Sequence, residues 1–165
     1  MRAHASKSSR RMEAAAEGAV SARQSRFAKV YHLAPVERIA LVKRGVPAAD
    51  VARIAKSIGQ PKERLMNLLG LPRATVDRKA RAKQQLSVEH SERVIGFTNL
   101  VGQVEVMIAQ SGDPIGFDAA KWLGEWLERP LPAFDGRRPA EFMDTTEGQH
   151  LVASLIAKMQ SGAYA

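Results

Sequence analysis

The residues best placed to do chemistry lie between Pro61 and Gln84, in the run PKERLMNLLGLPRATVDRKARAKQ. Leu65, Leu68 and Leu69 form a short apolar stripe that ends at Gly70, Leu71 and Pro72 carry the chain through a turn, and a second helix is predicted from about Arg73. That is the spacing of a helix-turn-helix. On the second helix Val76 and Ala80 stand four apart and pack inward, which leaves Ala74, Thr75, Arg78 and Arg81 projecting from the opposite side. In this motif the second helix lies in the major groove of DNA, with its N-terminal residues at the base edges. Arg78 and Thr75 are the expected base readers. An Arg fork bonds O6 and N7 of guanine together, worth about 1–3 kcal/mol of discrimination, and Thr offers a hydroxyl and a methyl. Arg73, Lys79, Arg81 and Lys83 are expected on phosphates, where they fix register and add salt-dependent affinity without reading sequence. A basic helix face is also what many merely solvated helices present. The short preceding turn and the charge of the surrounding chain favour DNA.

That charge is unevenly spread. Residues 1–86 hold 19 of the 25 Lys and Arg against 6 of the 17 Asp and Glu, a net +13, and residues 87–165 hold 6 against 11, a net −5. A basic half suits a polyanion, and an acidic half containing both tryptophans suits protein contacts. The 165 residues are 45% apolar and 25% charged, enough for one moderate core or two small ones. With no Cys there is no disulfide scaffold, no thiolate zinc site and no thiol chemistry, and a reducing compartment fits. His4, His32, His90 and His150 have no metal-ligand spacing, and no phosphate-binding glycine loop occurs. The expectations are therefore no catalytic residue, no metal and no cofactor. No apolar run nears the ~20 residues of a membrane span, and residues 1–30 lack the apolar core of a secretion signal. The expected location is the cytoplasm, with no membrane partner. An organellar transit peptide is the alternative reading of the Ala-, Ser- and Arg-rich opening.

The elements that must position the basic helix read as all-α. Apolar residues recur at spacings of three and four, and no segment sustains strand alternation. Residues 1–30 are expected as a basic arm, flexible or partly helical. Pro35 opens a helix with Val36, Ile39, Ala40 and Val42 that stops near Gly45. Pro47 opens another with Val51, Ile54, Ala55 and Ile58 that stops at Gly59, and Pro61 opens the next. Ser87 caps a long connecting helix with Val94, Phe97, Val101, Val104 and Ile108 spaced three, four, three, four. Ile95, Val106 and Met107 lie off that stripe, so the helix needs cover on more than one side. The local core on one face and a second subunit on the other would supply it, or else a wholly intramolecular core. Ala120, Leu123, Trp126 and Leu127 then form one face before Pro130 and Pro132 break the helix. Trp122 and Trp126 suit either the core or an interface anchor. Asp144 and Glu147 have capping-box spacing ahead of an apolar face of Leu151, Val152, Leu155, Ile156 and Met159, and Gly162 suits a helix end. On physics alone the tail Ala163, Tyr164, Ala165 would simply fray.

The segment from Trp122 through RPLPAFDGRRPAEFMDTTEGQHLVASLIAKMQSGAYA resembles the toxin-binding domain of the Xre/MbcA/ParS antitoxin family. A Pro-containing linker leads to Gly136, Arg137 and Pro139 in the family's Gly-Arg-x-Pro segment, then to an acid-Thr helix start at Asp144 and Thr145. The helix finishes in Gly162, Tyr164 and Ala165, matching a Gly-x-Tyr-Ala end. Phe134 and Asp135 stand where the family more often has Leu-Gly. LLGLPRATVDRKARAKQQLSVEHSERV is similar to the family's helix-turn-helix and the start of its linking helix.

The resemblance implies a non-enzymatic antitoxin whose partner is a RES-domain toxin consuming NAD, either NAD-degrading or ADP-ribosylating. It places toxin contacts at Gly136, Arg137, Gly162, Ala163, Tyr164 and Ala165, with the C-terminal end entering or covering the toxin's NAD site. The resulting division is an arm over 1–30, a DNA-binding domain over 31–86, and a dimerising, toxin-binding helical domain over 87–165. Operator DNA and a second copy of the chain complete the expected partners, since a palindromic operator needs two recognition helices. Two other classes stay open on the residues alone. One is a stand-alone regulator whose C-terminal half senses a ligand or dimerises; the other is a nucleic-acid packaging protein driven by charge.

Overall fold

A computed structural model of the chain describes residues 25–112 and 116–162. They form eight α-helices in chain order: α1 (Arg26–His32), α2 (Pro35–Arg44), α3 (Asp50–Ser57), α4 (Lys62–Leu68), α5 (Arg73–Arg81), α6 (Val88–Gln110), α7 (Ala119–Trp126) and α8 (Thr146–Gln160). Two short 3₁₀ turns, Pro132–Phe134 and Pro139–Phe142, join α7 to α8. No strand occurs among the described residues, so the all-α expectation holds. A single β-bridge pairs Pro47 with Gln85 and ties the end of α5 to the α2–α3 loop.

Local chemistry sets the helix starts. Ser25, Ser87, Asp118 and Thr145 each accept a hydrogen bond from a first-turn backbone N–H, satisfying donors that a helix start otherwise leaves open. Thr145 rather than Asp144 is the cap of α8, bonding Gly148 N at 3.1 Å. The box expected from Asp144 and Glu147 does not form, because the residue three after Thr145 is Gly148. Pro35 occupies the first turn of α2, as the sequence suggests. Pro47 lies in the bridge, three residues ahead of α3.

The 23-residue α6 is the spine. Val94, Phe97, Val101 and Val104 of the predicted stripe are buried, and so are Ile95 and Leu100 beside it. Helices α1, α2, α7 and α8 all pack against α6 and cover much of its apolar surface, while Val106, Met107 and Ile108 are only half-buried. The local core that the sequence calls for on this helix is present. Much of it comes from a segment expected in the arm: residues 26–30 belong to α1, where Phe27 and Ala28 are buried. The physical reason is close approach. A Cβ on Gly102 of α6 would lie 2.3 Å from the Phe27 carbonyl oxygen and 2.8 Å from Tyr31 Cβ, so only glycine lets the two backbones meet. Glu105 then caps α1, accepting from Ser25 Oγ and, at 3.1 Å, from Ala28 N.

One apolar core runs without a break from Phe27, Val51 and Leu65 through Phe97 to Trp126 and Ile156. Val51, Ile54, Ala55 and Ile58 are buried, as are Ala120, Leu123, Trp126 and Leu127. Two expected faces are corrected. In α2 no residue is buried, with Val36 76% and Ile39 53% exposed, because α2 rests on the side of α6 rather than within the core. In α8, Val152, Leu155 and Ile156 face inward while Leu151 and Met159 are exposed. Gly102→Ala should destabilise the fold by about 2–3 kcal/mol, since neither the Phe27 carbonyl nor the Tyr31 stem can yield cheaply. Urea unfolding followed by circular dichroism measures the loss.

Candidate functional site

The turn between α4 and α5 is built from backbone geometry and one cation. Gly70 sits at φ +59°, a conformation that favours glycine, and Leu71 N donates to Met66 O at 2.8 Å. Arg93 of α6 donates to Gly70 O at 3.0 Å and to the carboxylate of Glu89, so the spine holds the turn. Val76 is fully buried and anchors α5, and Ala80 is partly buried, as the four-residue spacing predicts.

The six predicted contact residues of this element are not equivalent. Arg78 and Arg81 are exposed and make no hydrogen bond or ion pair among the described residues. Lys83 is exposed just beyond α5, at φ +54°. Arg73 places Nε and Nη2 on Asn67 Oδ1 at 3.2 and 3.0 Å, bracing the two helices across the turn. Lys79 donates to Gln85 O at 2.9 Å, so its ammonium supports the chain leaving α5. Thr75 is half-buried on the flank of the helix rather than fully outward. Sequence reasoning passed over an ion pair here: Lys62 Nζ lies 2.7 Å from Asp77 Oδ1. That hydrogen bond holds the Asp77 carboxyl below the usual carboxylate range, helped by the charges of Lys62 and Arg81. Lys62 and Asp77 are fifteen residues apart, and no helical spacing links them.

The segment after α7 folds on itself. Leu131 and Arg137 close a loop through Leu131 N to Arg137 O at 3.1 Å and Gly136 N to Leu131 O at 3.0 Å, and Gly136 sits at φ +78°. The Arg137 guanidinium lies 4.7 Å from the centre of the Phe142 ring, which stacks in turn on Phe134 at 5.0 Å. Arg137 is thus engaged in folding the loop while exposed at its surface. Glu141 is held below the usual carboxylate range, first by the backbone N–H of Arg138 and then by that residue's side chain. Glu128 joins the halves, pairing with Arg138 and with Arg64 of α4, each at 3.1 Å.

The last helix is keyed to the spine by one buried amide. Gln149 donates to Arg93 O at 3.0 Å and Met143 O at 2.9 Å, and it fills the space that a Cβ on Gly96 would need. The start of α8 also abuts the recognition turn: a Cβ on Gly70 would stand 3.1 Å from Asp144 Cβ. Helix α8 ends at Gln160, and two residues on Gly162 sits at φ +68°, where a Cβ would meet nothing within 4 Å among the described residues. Ala163, Tyr164 and Ala165, expected as toxin contacts, lie outside the described residues, as do 1–24 of the expected arm.

Comparison with known proteins maps onto these two regions. Residues 37–99 match the antitoxin Xre-like helix-turn-helix domain, and residues 115–162 match the antitoxin Xre/MbcA/ParS C-terminal toxin-binding domain. The chain is 44% identical over 139 residues to a protein of Sphingobium sp. (strain YBL2) named Prs ADP-ribosylating antitoxin, spanning 84% of this chain and 87% of that one. The chain belongs to the Xre/MbcA/ParS antitoxin family. This antitoxin therefore carries a helix-turn-helix and a toxin-binding domain, and a toxin is its partner. The C-terminal half that a stand-alone regulator would use as a sensor is a toxin-binding domain. No helix among the described residues is long and apolar enough to cross a membrane.

Arg137→Lys in the antitoxin keeps the charge but removes the planar group over Phe142. It should cost about 0.5–1 kcal/mol of stability, read as a lowered thermal midpoint.

Proposed function

We propose that this antitoxin neutralises a RES-domain, NAD-consuming toxin with its C-terminal end and binds the promoter of its own operon as an autoregulator. The observation that carries the reading is the union, in one chain, of a helix-turn-helix whose Arg78 and Arg81 have no partner among the described residues and a toxin-binding domain. The RES partner, NAD-degrading or ADP-ribosylating, follows from the family resemblance, and the relative's printed name agrees with an ADP-ribosylating system. The antitoxin acts by binding and performs no chemistry of its own.

On the toxin side, Gly162 lets the chain turn off α8, and Ala163, Tyr164 and Ala165 enter the NAD site. The Tyr164 ring fills a stacking slot meant for part of the dinucleotide, and the terminal carboxylate pairs with a cation that otherwise meets phosphate. Gly136 and Arg137 form a second contact, supported by the closed loop that presents them. On the DNA side, Arg78 reads guanine with Thr75 beside it, and Arg81 and Lys83 meet phosphates. Arg73 and Lys79 are held by Asn67 and Gln85 O, so they meet phosphates only with the donors those bonds leave free and from the positions those bonds fix. Two copies bind a palindromic operator.

Deleting 162–165 should abolish protection when antitoxin and toxin are co-expressed, while operator affinity and thermal stability stay unchanged. Full protection by the truncated chain would remove the tail from the mechanism. Arg78→Ala should weaken operator binding by about 1–3 kcal/mol and leave random duplex nearly untouched, measured by fluorescence anisotropy at fixed salt.

A further inference from the structure

We infer that Asp77 is a sequence-specificity determinant of the helix-turn-helix, its unpaired carboxylate oxygen accepting from the exocyclic amine of a cytosine while Lys62 holds the side chain in place. The inference rests on the DNA-binding reading above and adds to it an acidic reader and a second base.

The position comes first. Asp77 is the fifth residue of α5, directly before Arg78, four after Arg73 and four before Arg81, so it borders the strip that the exposed arginines define. Its side chain is 39% exposed. One oxygen, Oδ1, is taken by Lys62 Nζ at 2.7 Å, and Oδ2 has no partner among the described residues. The group is ionised at neutral pH, since the Lys62 hydrogen bond lowers its pKa, and an ionised carboxylate only accepts.

The chemistry then selects the target. A bare carboxylate on a phosphate-binding surface repels the backbone of any duplex, and Lys62 offsets that repulsion without occupying Oδ2. In the major groove the complement of an acidic acceptor is the N4 amine of cytosine. A purely structural role for the pair accounts for less, because ion pairs this open to solvent contribute little to stability. Lys62 enters the major-groove surface only through Asp77 and is a positioning residue. Together with Arg78, the pair makes the recognised core rich in G·C, with cytosine chosen by Asp77 and guanine by Arg78.

The full-length chain and its variants are tested by selection from a randomised duplex library, followed by anisotropy titrations on the selected site and on a scrambled duplex. Asp77→Asn is expected to move the preference at one position from cytosine to adenine, which an amide reads bidentately. It should lower affinity for the original site about tenfold and raise affinity for the scrambled duplex, because a negative charge is gone. Asp77→Ala should erase the preference at that position alone. Lys62→Gln should blur it and Lys62→Arg should keep it. Enrichment of the same bases at every position by the wild type and both Asp77 variants would overturn the inference. Loss of affinity on both duplexes alike, with the base preference intact, would reduce the pair to a brace and overturn it too. A wild-type chain that enriches no sequence would instead remove the operator reading itself.

Discussion

The whole structure depends on covering α6. A 23-residue helix with apolar groups on several sides cannot stand in water, and burying even one large side chain is worth about 1.5–3 kcal/mol. Every element that leans on α6 is placed by that need: α1 crosses it at Gly102, α8 is keyed to it at Gly96 and Gln149, and α7 closes a further side. The helix-turn-helix is held to the same spine by Arg93, whose guanidinium grips the Gly70 carbonyl while its own carbonyl accepts from Gln149. One residue thus touches both the turn of the helix-turn-helix and the last helix of the toxin-binding domain.

Much of this was legible where the signal was local. Proline starts, glycine stops and the spacing of Val51, Ile54, Ala55 and Ile58 located the small helices, and the Leu-Gly-Leu-Pro turn located the motif. What stayed hidden depended on tertiary contact. Ser25 through His32 sits behind a basic, alanine-rich opening, and its membership in the core follows from Gly102 and Glu105, some eighty residues away. In α2 the amphipathic spacing states which side is apolar, and not whether anything covers it, and Val36 and Ile39 stay exposed. Asp144 has capping-box spacing to Glu147, yet Thr145 caps α8, because both residue types cap well and only backbone geometry separates neighbours.

The site residues divide in the same way. Arg78 and Arg81 are exposed, as helical phase alone predicts. Lys79 and Arg73 share that charge, yet the fold engages both, one on a backbone carbonyl and one on Asn67. Residue type told which side chains suit phosphate; only the packed chain told which of them the protein already uses. Arg137 teaches the converse, since the stacking on Phe142 that shapes its loop also leaves its guanidinium at the surface.

The unbroken core from Phe27 to Ile156 has a consequence for the lifetime of the molecule. Where two functions sit on separately folding units, a cell can lose one and keep the other. Here the apolar side chains beneath the recognition helix and those beneath the last helix belong to one cluster, so opening either exposes the other. A protease that captures the open form removes the helix-turn-helix and the toxin-binding domain in one event, and a single unfolding equilibrium sets the clock for both.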